Sequence, residues 1–146
     1  SLPKKLFGVF PHRAVRPQSP LFRGFDDVFY VPHSRYTENR LEDVQARPEL
    51  ELLAVSDQAG VFAVKSGDNR RFFITGHPEY DPDTLANEYF RDVNRGLEIN
   101  IPDNYFPSDA PKNPPEVRWR SAAQLFYTNW RNYYVYQTTP YDISRV

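Results

Sequence analysis

The chain has 146 residues, 40% hydrophobic and 25% charged, which fits one ordinary domain with a real core and excludes a disordered chain. Its formal net charge of -1 gives no global field toward nucleic acid or an anionic membrane, and no apolar run reaches the roughly 20 residues that span a bilayer. It contains no cysteine and no methionine, which excludes disulfides and cysteine-ligated metal, while aromatic residues reach 16%.

Lys5-Leu6-Phe7-Gly8-Val9-Phe10 reads as a first strand, stopped by Pro11-His12. Pro17-Gln18-Ser19-Pro20 is a loop, because two prolines three apart oppose regular pairing. Residues 28–31 form a short buried strand, and residues 32–36 (Pro32-His33-Ser34-Arg35-Tyr36) form the loop at its end. Residues 41–46 make one or two helical turns, closed before Pro48. Three strands follow at residues 50–55, 60–65 and 70–75. The turn cluster Ser66-Gly67-Asp68-Asn69 joins the last two as an antiparallel hairpin.

A helix is predicted over residues 83–96. Leu85, Tyr89, Val93 and Leu97 recur on one face, Asp81 or Asp83 caps the start, and Gly96 fits the position after the end. The loop over residues 100–115 contains Pro102, Pro107, Pro111, Pro114 and Pro115, and is expected to lie across the surface as an ordered arm. Trp119, Ala122, Ala123, Phe126, Trp130, Tyr133, Tyr134 and Gln137 fit a second amphipathic helix. Its aromatic face serves either the core or a subunit interface.

Chemistry concentrates in Phe72-Phe73-Ile74-Thr75-Gly76-His77-Pro78-Glu79-Tyr80-Asp81. A short apolar strand ends at a glycine, presents His77 and Glu79 two residues apart, and gives way to a helix. Side chains two apart on an extended segment point the same way, so the carboxylate can hold the imidazole in one tautomer and leave it a general base near neutral pH. A solvated turn carrying one His and one Glu is the plain alternative. The three histidines, His12, His33 and His77, are widely separated and lack metal-ligand spacing, so no metal site is expected.

The segment from Thr75 to Asp81 resembles the His-Pro-Glu signature of class I glutamine amidotransferase-like domains, in which His and Glu serve a cysteine on a strand-to-helix elbow. More narrowly, residues 23–27, 32–36, 75–81, 88–93, 104–107, 119–121 and 129–137 resemble the homoserine O-acyltransferase family, which has succinyl- and acetyl-transferring members. These blocks are ordered and spread over nearly the whole chain, and they cover the C-terminal half of such an enzyme. The resemblance implies an α/β fold, a flavodoxin-like sheet with flanking helices, here the C-terminal portion with an antiparallel hairpin.

It also implies roles. His77 matches the family's general base, and Glu79 the residue that orients and supports it. Lys5, Ser34 and Arg91 match positions that contact substrate. Read from local sequence alone, Lys5 is a soluble flank, Ser34 a turn residue, and Arg91 part of a solvated face opposite the Leu85/Tyr89/Val93 stripe. The implied reaction passes an acyl group from succinyl-CoA or acetyl-CoA to a cysteine and then to the hydroxyl of L-homoserine, in methionine biosynthesis, with acyl-CoA as co-substrate and no bound cofactor.

The cysteine is expected upstream of Ser1. Residues 1–146 are then the C-terminal part of a single domain that is inactive without its N-terminal half, and whose intact form is a cytoplasmic homodimer. A glutamine-hydrolysing amidotransferase half and a non-catalytic interaction fragment are the competing readings.

Overall fold

β1 (Leu6–Ala14) is the strand on which the rest is built. It pairs with β2 (Phe29–Arg35) from Leu6↔Arg35 to His12↔Phe29, and through Arg13 and Ala14 with β3 (Leu50–Ser56). β4 (Gly60–Ser66) and β5 (Phe72–Ile74) complete a sheet of order β2-β1-β3-β4-β5, antiparallel at every contact. The structure, a computed structural model, describes residues 1–139 and Ser144. The expected α/β class with flanking helices and a β4–β5 hairpin holds, and antiparallel pairing extends from that hairpin to the whole described sheet.

Two predicted strand ends are corrected. β1 runs through Pro11-His12, and β2 runs on through Pro32 to Arg35 where the sequence predicts a loop. The reason is the direction of the missing N–H. Val9 N–H points away from β2, to Asp103 O at 2.8 Å. Pro11, two residues on, faces the same way, into the gap between Asp103 and the Arg13↔Val55 pair. Pro32 lies opposite Val9, so its nitrogen faces the open outer edge of β2. A proline disrupts a sheet only where its N–H would have been a ladder donor.

α1 (Leu41–Gln45) forms where predicted and ends before Pro48. α2 (Thr84–Asn94) also forms, but not with the predicted cap. Asp83 stands at the N-cap without a side-chain hydrogen bond, and Asp81 supplies only its carbonyl, to Thr84 N–H. The Tyr105 hydroxyl does the capping instead: it accepts from Ala86 N–H at 3.2 Å and donates to Pro82 O. The other end closes as expected, with Gly96 N–H on Val93 O and Leu97 N–H on Asp92 O. The apolar stripe is only half used. Leu85 is buried, whereas Val93 and Leu97 are exposed.

The proline-rich arm is ordered but is not confined to the surface. Asp103 pairs with β1, its N–H donating to Phe7 O at 2.9 Å, and Pro102, Tyr105 and Phe106 are buried. A Cβ on Gly8 would stand 2.4 Å from Asp103 O, so the arm approaches this closely only over glycine.

Alternation along β1 and β2 divides the core. Phe7 and Val9 face the arm and α2, packing with Leu85, Ala86, Tyr105, Phe106 and Trp119. The other face holds Phe29, Val31, Leu53 and Phe62 against Phe126 of α3 (Arg120–Trp130) and Tyr134. Fully burying side chains of this size stabilises by roughly 1.5–3 kcal/mol each. After α3 the helix widens into a π turn, Arg131–Val135, before a last turn, α4 (Tyr136–Thr138). The inward face therefore steps from Phe126 to Asn129 and then five residues to Tyr134, leaving Trp130 and Tyr133 exposed. Of the aromatic helix, part serves the core and part faces solvent.

Candidate active site

β5 ends at Ile74, and the chain crosses toward the outer edge of β2. Thr75 still pairs, its N–H donating to Phe62 O at 3.0 Å. Gly76 then lies against the side chains of β2. A Cβ there would stand 2.6 Å from Val31 Cγ1 and 2.9 Å from His33 Nε2, so no larger residue fits without displacing them. His77 N–H donates to Pro32 O at 2.8 Å, using a carbonyl that the edge strand leaves free. Trp119 Nε1 donates to Tyr80 O at 3.0 Å, and the Tyr105 hydroxyl holds Pro82 O. The loop is thus fastened to the edge strand, the arm and the start of α3.

On this loop His77 Nδ1 lies 2.8 Å from Glu79 Oε1. The carboxylate accepts the Nδ1 proton, which leaves Nε2 as the basic nitrogen. The Tyr80 ring stacks on the imidazole, centroids 4.4 Å apart and planes within 5°. The two side chains are 38% and 52% exposed, so the imidazole and the carboxylate are both reachable from solvent. Beyond Glu79, Tyr127 Oη of α3 reaches Glu79 Oε2 at 3.4 Å.

A second cluster forms beside it. Lys5 Nζ lies 2.6 Å from Glu88 Oε1, Ser34 Oγ donates to Glu88 Oε2 at 2.8 Å, and Arg91 Nη2 lies 3.6 Å from Glu88 Oε1. All three predicted substrate contacts therefore converge on one carboxylate of α2. Arg91 is also held by Asp92 at 2.7 Å. That bond pulls the Asp92 carboxyl below the usual range and lifts the Arg91 guanidinium above its own.

Lys5 is no soluble flank: its side chain is 10% exposed and its ammonium lies 4.3 Å from the Phe7 ring centroid. Ser34 is no turn residue, because β2 continues through it and alternation turns it toward α2. The Arg91 side chain is 51% exposed, half solvated as its helical face predicts, yet it borders the Glu88 cluster. The Tyr80 phenol is raised above its ordinary value by burial and then by the charges of Glu88 and Glu79.

Below the loop lie His12 and His33, both fully buried. Arg35 Nε donates to His33 Nδ1 at 3.3 Å, so the His33 proton sits on Nε2 and is given to His12 Nε2 at 3.2 Å. His12 Nδ1–H donates to Phe10 O at 2.8 Å. Every proton has an acceptor with both rings neutral. Burial, and then the Arg35 charge, holds His12 down to about 4. Burial, then the neighbouring charges of His12 and Arg35, hold His33 down to about 2. These histidines are a polar strut under Gly76. Among the described residues no group of three or more His, Cys, Asp or Glu is arranged to hold a metal ion, and no helix is long and apolar enough to cross a membrane.

Sequence reasoning names His77, Glu79, Lys5, Ser34 and Arg91 but not Glu88 or Tyr127. Glu88 has a usable signal: it lies one turn before Arg91 on the same helical face. Tyr127 has none, since nothing local ties α3 to a loop 48 residues away.

The profile of the family described as homoserine O-succinyltransferase matches residues 1–141. The chain is 57% identical over 143 residues to a homoserine O-acetyltransferase of Brevibacillus brevis, covering 98% of this chain and 47% of that protein. It is 56% identical over 146 residues to a homoserine O-acetyltransferase of Bacteroides fragilis, covering 100% and 48%. It thus spans about half the length of the curated relatives it matches. Among solved structures, that of SMU.1228c superposes with a TM-score of 0.60 over 91% of this chain and 53% of the other, at 18% identity, a likeness of fold alone.

Proposed function

This chain belongs to the homoserine O-succinyltransferase family, and from that premise we propose that it supplies the acid/base and amino-acid-binding half of a homoserine O-acyltransferase. The observation that carries the reading is the solvent-reachable His77–Glu79 pair beside the Glu88 cluster. His77 Nε2 takes a proton first from a cysteine thiol that residues 1–146 do not contain. The thiolate attacks acyl-CoA and becomes a thioester, and the departing coenzyme A thiolate takes the proton back from His77, which leaves the imidazole neutral for the second step. His77 then takes the proton of the homoserine hydroxyl, whose oxygen attacks the thioester and releases the thiolate. Glu79 holds the imidazole in the productive tautomer and stabilises the imidazolium at each stage.

The Glu88 cluster suits the other end of the acceptor. A free amino acid carries an ammonium and a carboxylate. Glu88 offers a carboxylate for the first, already oriented by Lys5 and Ser34, and the half-exposed Arg91 offers a planar guanidinium for the second. The exposure of His77 and Glu79 fits a site that a further segment covers, excluding water from the thioester. On this reading the active protein joins these residues to an N-terminal half that brings the cysteine, works in the cytoplasm in methionine biosynthesis, and is a homodimer.

The test joins these residues to the remaining half of the relatives' length and supplies L-homoserine with acetyl-CoA or succinyl-CoA. Thiol release and O-acylhomoserine, read by mass spectrometry, are expected with one donor at least, and their ratio identifies it. The 146-residue chain alone is expected to give no turnover. Product with neither donor, or ammonia release from glutamine instead, would overturn the reading.

A further inference from the structure

The hydrogen-bond chain that begins at His77 does not end at Glu79. A carboxylate with one partner can turn about its terminal bond, and the Glu79 side chain is half-exposed. Its second oxygen meets Tyr127 Oη at 3.4 Å. Tyr127 sits on a fixed stretch of helix. The neighbouring Phe126 is buried against Phe62, and buried Asn129 donates to Leu21 O at 3.0 Å and to Arg23 O at 2.9 Å. Tyr127 is 42% exposed, and its phenol is pushed up to about 12 by the partial burial that remains and then by the Glu79 charge and hydrogen bond, so it stays a protonated donor.

We propose that Tyr127 is a positioning residue that locks the Glu79 carboxylate onto His77 Nδ1, making α3 a support of the catalytic base. The proposal rests on the reading of His77 as that base. It assigns Tyr127 a role in fixing the tautomer: with Glu79 held, the proton stays on Nδ1 and Nε2 stays free. With Glu79 loosened, the imidazole drifts toward the Nε2-protonated form that predominates in free histidine, and the base is lost in proportion.

Tyr127→Phe removes the hydroxyl and keeps the ring packed on α3, so a merely structural role would leave His77 unchanged. The readout is the tautomer ratio of His77 from its ring nitrogen shifts in the 146-residue chain, with the resonance assigned by its loss in His77→Gln. Glu79→Gln sets the scale of complete loss. A several-fold movement toward the Nε2-protonated form in Tyr127→Phe is expected, and an unchanged ratio overturns the proposal. In the protein carrying both halves, the same substitution should lower kcat about tenfold with little change in the homoserine KM. A tautomer shift in a protein that transfers no acyl group would sink the acyltransferase reading and leave the positioning intact. Acyl transfer with no tautomer shift would do the reverse.

Discussion

Lowering the pH from 7 to 5 should destabilise this chain steeply, because His12 and His33 are buried only as neutral rings. Both have folded values below their unfolded value, about 4 and about 2 respectively. The unfolded chain therefore binds more protons than the folded one once the pH drops below about 6.5. Stability that is fully present above that point falls as pH falls toward the folded values. Each histidine costs about 1.4 kcal/mol per pH unit after the unfolded form is protonated, which gives about 2 kcal/mol each and about 4 kcal/mol for the pair between pH 7 and 5. The carboxylates held low by hydrogen bonds, Asp68, Asp92 and Glu116, add little in this window, since their unfolded forms titrate below it. Urea unfolding followed through the fluorescence of buried Trp119 reads the free energy at each pH. A value flat to within about 1 kcal/mol across the window would refute the neutral buried pair.

Gly76→Ala should lower the melting temperature by several degrees, at a cost of about 1–3 kcal/mol, because the new methyl meets Val31 and His33. Differential scanning calorimetry checks it, and an unchanged melt would show that the loop crosses β2 less closely. Tyr105→Phe should cost about 1–2 kcal/mol, since Pro82 O and Ala86 N–H both lose their partner at the start of α2, and hydrogen exchange at Ala86 should speed up. Arg91→Ala should cost about 1 kcal/mol, its own side chain being half-exposed while the Asp92 carboxylate it holds at 2.7 Å is buried. In the protein carrying both halves it should also raise the KM for homoserine at least tenfold. Lys5→Ala should likewise do both, because it leaves the Glu88 carboxylate short of its nearest cation.

What was legible in the sequence was what local periodicity and spacing encode. His77 and Glu79, two apart on an extended segment, do meet, and the hairpin and α2 form where their turn residues and stripe place them. The strand ends at Pro11 and Pro32 were not legible, because the cost of a proline depends on which way its nitrogen faces, and only strand pairing decides that. The cap of α2 is hidden for a similar reason: Asp81 and Asp83 are apt residues, but the donor at Ala86 is met by Tyr105, 19 residues on. The π turn shifts the inward face of the last helix by one residue, which no regular periodicity anticipates. Resemblance points to Lys5, Ser34 and Arg91, yet what unites them is Glu88, and that is a fact of tertiary contact.

His77 is proposed as the base of an acyl-transfer site completed by a cysteine from outside these residues. The most direct measurement is the rate of O-acylhomoserine formation by the protein carrying both halves, with and without His77→Ala, both checked for equal folding. A loss of at least about a thousandfold is expected, since thiol and hydroxyl would both lack their proton acceptor. Activity within a few-fold of the unsubstituted protein would remove His77 from the mechanism and contradict it.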